Sequence, residues 1–205
     1  MMITAAEPRG KGMTALFLDG EEAVCLDTFV WAGSGLGLGD ELSDGQLHAL
    51  LEESDTRRAQ EKALKLLEHR AYSQKELAER VGRVVSREAA ERAARHLAEI
   101  GLIDDAEYAH LLADELFRRK GYSAGRVLYE LNSRGIDREL AEQVVGETAP
   151  DPAERLRELL GRKYSRSLSD EKGRQRVAAS LRRLGYQWGD ICAAMRDFRN
   201  EDEYT

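Results

Sequence analysis

Nine basic side chains stand where they could grip a polyanion. Arg118, Arg119 and Lys120 run together before Gly121. Arg126 and Arg134 follow, and their spacing places them near one face of a helix. Arg174, Arg176, Arg182 and Arg183 crowd one later stretch. None of the nine belongs to the apolar stripe of its own segment. Guanidinium and ammonium groups at this density suit either phosphates or a carboxylate-lined protein groove. Phosphate contact would make affinity fall steeply with salt. Contact with an acidic protein surface would give a milder dependence and little binding to DNA alone. For any single arginine a solvated face is the competing reading; the clustering favours binding.

Other chemistry finds little support. His48, His69, His96 and His110 never stand four apart, and none is close in sequence to Cys25 or Cys192, so no zinc set is assembled. Asp104-Asp105 is a carboxylate pair, but it opens a helical segment, where acids suit the helix dipole. The glycine-rich "AGSGLGLGDEL" at 32–42 lacks the Lys and Ser/Thr of a phosphate loop and is read as a turn-rich connection. No nucleophile elbow, nucleotide fingerprint or H-E-x-x-H pattern occurs. The expectation is a protein without catalytic residues, metal or cofactor.

The elements that would position the basic groups are repeated. "GRVLYELNSRGI" at 125–136 returns as "QRVAASLRRLGY" at 175–186, "AYS" at 71–73 as "GYS" at 121–123, and "SREAAERA" at 86–93 as "DRELAEQV" at 137–144. A period of this size marks a repeated supersecondary unit. Leu77 and Val81, then Val127 and Leu131, share helix faces. Gly135 and Gly185 end helices; Ser86 and Asp137 are placed to cap the next ones. Each unit is three helices: 57–70, 73–81 and 86–100; 104–119, 123–134 and 137–147; 152–163, 169–184 and 188–198. The division is 1–56, an acidic segment with a hairpin and a short helix; repeats at 57–103, 104–148 and 149–199; and an acidic tail at 200–205. The fold class is mainly all-α: three tandem three-helix repeats forming an elongated array, preceded by a small β-hairpin-containing segment.

In that first segment, residues 1–12 are read as a flexible start. Residues 13–18 and 22–27 flank Asp19-Gly20 and are read as a hairpin. Ser43 and Gln46 form a capping box before Leu47, Leu50 and Leu51. Tyr72, Tyr122, Tyr186 and Trp188 are read as packing residues, and Trp31 as a cover for the hairpin. The net charge of −7 is uneven. Residues 1–56 carry 2 basic and 11 acidic groups, whereas residues 151–200 carry 12 and 7. No run of apolar residues approaches the roughly 20 needed to cross a bilayer. Two cysteines make no disulfide framework, so a cytoplasmic protein is expected; it is also expected to be a monomer.

Residues 73–103, "SQKELAERVGRVVSREAAERAARHLAEIGLI", read like a helix-turn-helix segment, the alternative being a DNA-binding transcriptional regulator. The whole repeat region instead resembles the RecX family, regulators of the RecA recombinase. The resemblance rests on "ALKLLEHRAYSQKEL" at 63–77, "HLAEIGLIDDAEYA" at 96–109, "RRKGYSAGRVLYELNSRGID" at 118–137 and "RRLGY" at 182–186, in that order. Leu184 departs from it, since the family often has arginine there, and residues 1–56 look like an extension found in only part of the family. The resemblance implies a non-catalytic regulator that binds the RecA filament on single-stranded DNA, with weak direct DNA contact at most. It also implies restraint of recombination, ATPase and co-protease activity.

Overall fold

The computed structural model describes residues 1–168 and 170–203. It is mainly helical, with a small antiparallel sheet at the N-terminus. The chain divides into two compact units, Met1–Asp104 and the part from Asp105 onward.

The first unit begins with a meander of β1 (Ile3–Gly10), β2 (Met13–Leu18) and β3 (Glu21–Asp27), in that order across the sheet. The Asp19-Gly20 turn takes φ of 51° and 92° at its two residues, the left-handed pair that a tight hairpin requires. Residues 3–10, expected to be part of a flexible start, form the edge strand β1, paired from Ile3↔Leu18 to Gly10↔Met13. Pro8 is tolerated because an edge strand has one side free of ladder bonds. A short helix, α1 (Thr28–Gly33), follows.

The helix α2 (Asp44–Leu67) also differs from expectation. It starts at the Ser43–Gln46 capping box and runs through residues 56 and 57 without a break, because no glycine or proline interrupts it after Gly45. It serves two cores. Leu50 packs with Ile3, Leu16, Leu26, Val30 and Leu42 beneath the sheet. Two turns on, Ala59 and Ala63 join Leu77, Val81, Ala89, Ala93 and Leu97. The latter come from α3 (Gln74–Val81) and α4 (Arg87–Glu99), capped by Ser73 and Ser86. Alanines dominate this core, so the helices approach closely.

The second unit holds the other two three-helix groups. In one, α5 (Asp105–Glu115), α6 (Ala124–Ser133) and α7 (Arg138–Thr148) enclose Ala109, Phe117, Val127, Leu131 and Val144. In the other, α8 (Pro152–Leu159), α9 (Glu171–Arg183) and α10 (Trp188–Glu203) enclose Leu156, Leu160, Val177, Leu181 and Ile191. Each fully buried Leu or Val side chain contributes roughly 1.5–3 kcal/mol of burial energy. The first helix of each group ends in a widened π-helical turn, Leu116–Lys120 and Leu160–Tyr164, where the sequence predicts continuous α-helix. The third group's middle helix starts at Glu171 with Asp170 as its cap; Ser169, its expected first residue, lies outside the described residues, as do Tyr204 and Thr205 of the acidic tail.

Among the described residues no helix is long and apolar enough to cross a membrane. None of their His, Cys, Asp and Glu side chains form a group of three or more able to hold a metal ion. The chain passes from Ile103 into α5, and not into the β-hairpin of a winged helix-turn-helix domain.

Candidate interaction surface

Within the second unit, one backbone hydrogen bond organises the basic side chains. The N–H of Ser123 donates to the carbonyl oxygen of Leu184 at 2.9 Å. Ser123 caps α6, and Leu184 ends α9. The bond therefore docks the end of α9 against the start of α6. Arg119 and Lys120 lie just before Ser123, and Arg182 and Arg183 just before Leu184. Two clusters separate in sequence thus share one junction. All four side chains are exposed, and no ion pair engages them among the described residues. Arg118 is exposed as well but is held by Asp114 at 2.6 Å.

The next turns of α9 extend the charge. Arg176 and Arg183 stand two turns apart on the exposed face, opposite Val177 and Leu181. Arg174 is turned aside: it pairs with Glu171 at 2.7 Å and donates to the Leu168 carbonyl oxygen at 3.3 Å. Hydrogen bonds from Arg174 hold the Glu171 carboxyl below its ordinary pKa.

Arg126 and Arg134 do not share a face. Arg126 reaches Glu130 at 2.7 Å and lies over the rings of Tyr122 and Tyr129, 5.6 and 5.2 Å from their centroids. Arg134 is the C-cap of α6, eight residues on from Arg126 and so about 80° around the helix from it. Its guanidinium turns to the Tyr108 hydroxyl at 3.0 Å, on α5.

Three features here escape a sequence reading. The first is Arg155 on α8, whose side chain is 13% exposed. It donates to the carbonyl oxygens of Phe117 at 2.6 Å and Arg118 at 3.0 Å, satisfying the end of the π-helical turn, and it pairs with Glu158. Its Nε has no hydrogen-bond partner among the described residues. The Glu158 carboxyl, bonded first by Arg162 and then by Arg155, is held below its usual pKa. The second is a cavity of ≈ 210 Å³ between the two groups, walled by Phe117, Tyr122, Pro150, Pro152 and Tyr186, with Arg155 alongside. Burial pushes the Tyr186 phenol above its ordinary pKa, against a smaller opposing pull from Arg155. The third is Tyr129, 63% exposed beside Arg126. Its spacing from Arg126 on α6 is the one sequence signal that could have flagged it.

Of the aromatic residues expected in packing roles, Tyr72 and Tyr186 are buried, Tyr122 is half-buried, and Trp31 packs against the sheet core. Trp188 is 57% exposed, contrary to expectation. It begins α10 a turn before Ile191, the first buried residue of that helix, and so projects past the end of the core.

Fold and site together describe a tandem three-helix-repeat protein whose distinctive surface is a basic junction beside an aromatic-walled cavity. The model of the second three-helix domain of RecX matches residues 104–145. A regulatory protein RecX of Trichlorobacter lovleyi is 32% identical over 131 residues, which cover 61% of this chain and 85% of that protein. One from Caldanaerobacter subterraneus is 28% identical, with 75% and 79% covered. A crystal structure of regulatory protein RecX has the same fold, with a TM-score of 0.61 at 20% identity, covering 96% of this chain and 98% of that one. The chain belongs to the RecX family of regulatory proteins.

Proposed function

We propose that this protein restrains the RecA recombinase by binding its filament on single-stranded DNA, with no bond chemistry of its own. Membership of the RecX family supports the partner. The observation that carries the surface is the convergence of Arg119, Lys120, Arg182 and Arg183 on the Ser123–Leu184 bond, exposed and without ion pairs among the described residues. Arg176 continues that surface along α9; Arg118, Arg126, Arg134 and Arg174 are already engaged within the chain and serve as its support. A bound regulator shifts the filament only by its differential affinity for the filament's states. Unpaired exposed cations supply that affinity without first breaking an internal ion pair.

The test replaces Arg182 and Arg183 by Glu and follows RecA-dependent ATP hydrolysis. Half-inhibition should need at least about tenfold more of the double variant, equivalent to about 1.4 kcal/mol of binding. Unchanged inhibition by a normally folded variant would remove the junction from the binding surface. Parallel titrations of naked single-stranded and duplex DNA separate filament capture from plain phosphate binding, which weakens steeply with salt.

A further inference from the structure

The cavity beside the junction has a character that cations alone do not explain. Its walls are mostly apolar: Phe117, Tyr122, Pro150, Pro152 and Tyr186. Its volume is ≈ 210 Å³, and about 150 Å³ is enough to bind benzene in an apolar protein cavity. It therefore has room for one phenyl ring or branched aliphatic side chain. Ser123 and Gly185 also line it, so its wall includes the contact that joins α6 to the end of α9. The unpaired cations flank that same contact. Asp190 and Arg155 are the charged groups of the lining; Asp190 disfavours a carboxylate there, and the terminal nitrogens of Arg155 are already bonded to the Phe117 and Arg118 carbonyl oxygens and to Glu158.

From this arrangement we infer that the junction takes an acidic protein segment bearing one large apolar anchor. The anchor fills the cavity, and carboxylates on either side of it meet Arg119, Lys120, Arg182 and Arg183. This inference rests on the binding surface proposed above and names the chemistry of its occupant. Charge complementarity selects an acidic partner. The apolar walls favour a protein side chain over a phosphate, which gains nothing from burial against proline and aromatic carbon. An anchor in a desolvated pocket ringed by polar contacts is the usual energetic centre of a protein interface.

The full-length chain is titrated with two capped peptides, each a run of glutamates around a central residue that is Phe in one and Ala in the other. The Phe peptide should bind about tenfold more tightly. Raising salt should weaken both by a similar factor. Gly125 lines the cavity and is exposed, and a Cβ there meets nothing within 4 Å, so the Cβ of Gly125→Phe displaces no neighbour and its ring should cover the cavity mouth. It should abolish the preference for Phe and leave the Ala peptide's affinity unchanged. In the unmodified protein, the Phe peptide should shift the amide resonances of Gly125 and Tyr186, which keeps the idea testable if the variant folds poorly. Equal affinity for the two peptides, a preference that survives Gly125→Phe, or shifts confined to other helices would each overturn the inference. So would a single-stranded oligonucleotide that shifts the same amides at lower concentration than the Phe peptide. No filament is present in this assay. Loss of the Phe preference alongside intact inhibition of ATP hydrolysis would therefore sink the anchor alone and leave the regulatory reading standing.

Discussion

Gly185 lies so close to Ser123 that a side chain could not be placed between them. A Cβ built at Gly185 falls 2.5 Å from the Ser123 hydroxyl oxygen and 2.7 Å from Arg126 Cβ. The backbone there has φ of +97°, which L-residues adopt at a cost. Two requirements meet at one position: a left-handed helix end, and room for the cap of α6 to approach.

Gly185→Ala should therefore cost more than the backbone strain alone, about 3 kcal/mol in all. Gly101→Ala is the control. It has a similar positive φ of 75° but open space around the new methyl group, and should cost about 1 kcal/mol. Urea denaturation of both variants reads the difference. Equal losses would mean that the α9–α6 contact relaxes without resistance.

Arg155 ties α8 to the end of the preceding group's π-helical turn through two carbonyl oxygens. Arg155→Ala should lose about 2–3 kcal/mol, since hydrogen bonds from a charged donor are involved and two acceptors are left open. Arg155→Lys should restore little of it, because a single ammonium cannot reproduce a planar fork. Thermal unfolding of the two variants side by side decides this; a lysine that rescued fully would show that charge, and not geometry, makes the link.

Alkaline pH should loosen the last three helices. Burial raises the Tyr186 pKa above its ordinary 10.0, so the folded state holds the phenolic proton more tightly than the unfolded chain does. The stabilisation is complete below the unfolded value and is lost as pH rises through the folded one. Unfolding free energy should fall with pH above about 10, and Tyr186→Phe should flatten that part of the profile. An unchanged alkaline limb in the Phe variant would assign the loss to other groups.

Local signals in the sequence foretold much of this architecture. Ser73, Ser86, Ser123 and Asp137 cap helices as their positions demand, and Val127, Leu131, Val177 and Leu181 are buried as their spacing requires. A cap or a stripe is a property of a few neighbouring residues, so it survives in one dimension. Strand β1 did not, because Pro8 and the lack of strict alternation hide a strand whose tight turn into β2 falls at Lys11-Gly12, with φ of 51° and 73°. The basic clusters were visible as composition, yet their meeting was not. That depends on a backbone bond between distant helices and on a bare glycine. Nothing in its own segment singles out Arg155, since its acceptors belong to another repeat. The cavity is likewise a property of two groups packed together, and no single segment carries it.

The first unit carries a comparable long-range tie, and it yields the remaining prediction. Asp27 is 4% exposed; its carboxylate accepts from the N–H groups of Phe29 at 2.9 Å and Val30 at 3.3 Å. Arg57 on α2 reaches the same carboxylate through Nε at 3.2 Å, and its guanidinium lies 4.5 Å from the centroid of the Phe29 ring. One arginine thus holds both the cap of α1 and its first aromatic residue. Asp27→Ala removes the cap and leaves a cation without its partner, and should cost about 2 kcal/mol. Arg57→Ala leaves the buried carboxylate with its two N–H donors, and should cost less, about 1 kcal/mol. In the double variant the losses should fall short of additive, because the second substitution removes a contact already broken. Denaturant unfolding of the three variants measures the coupling. Strict additivity would mean that Asp27 acts on α1 alone and that Arg57 contributes nothing through it.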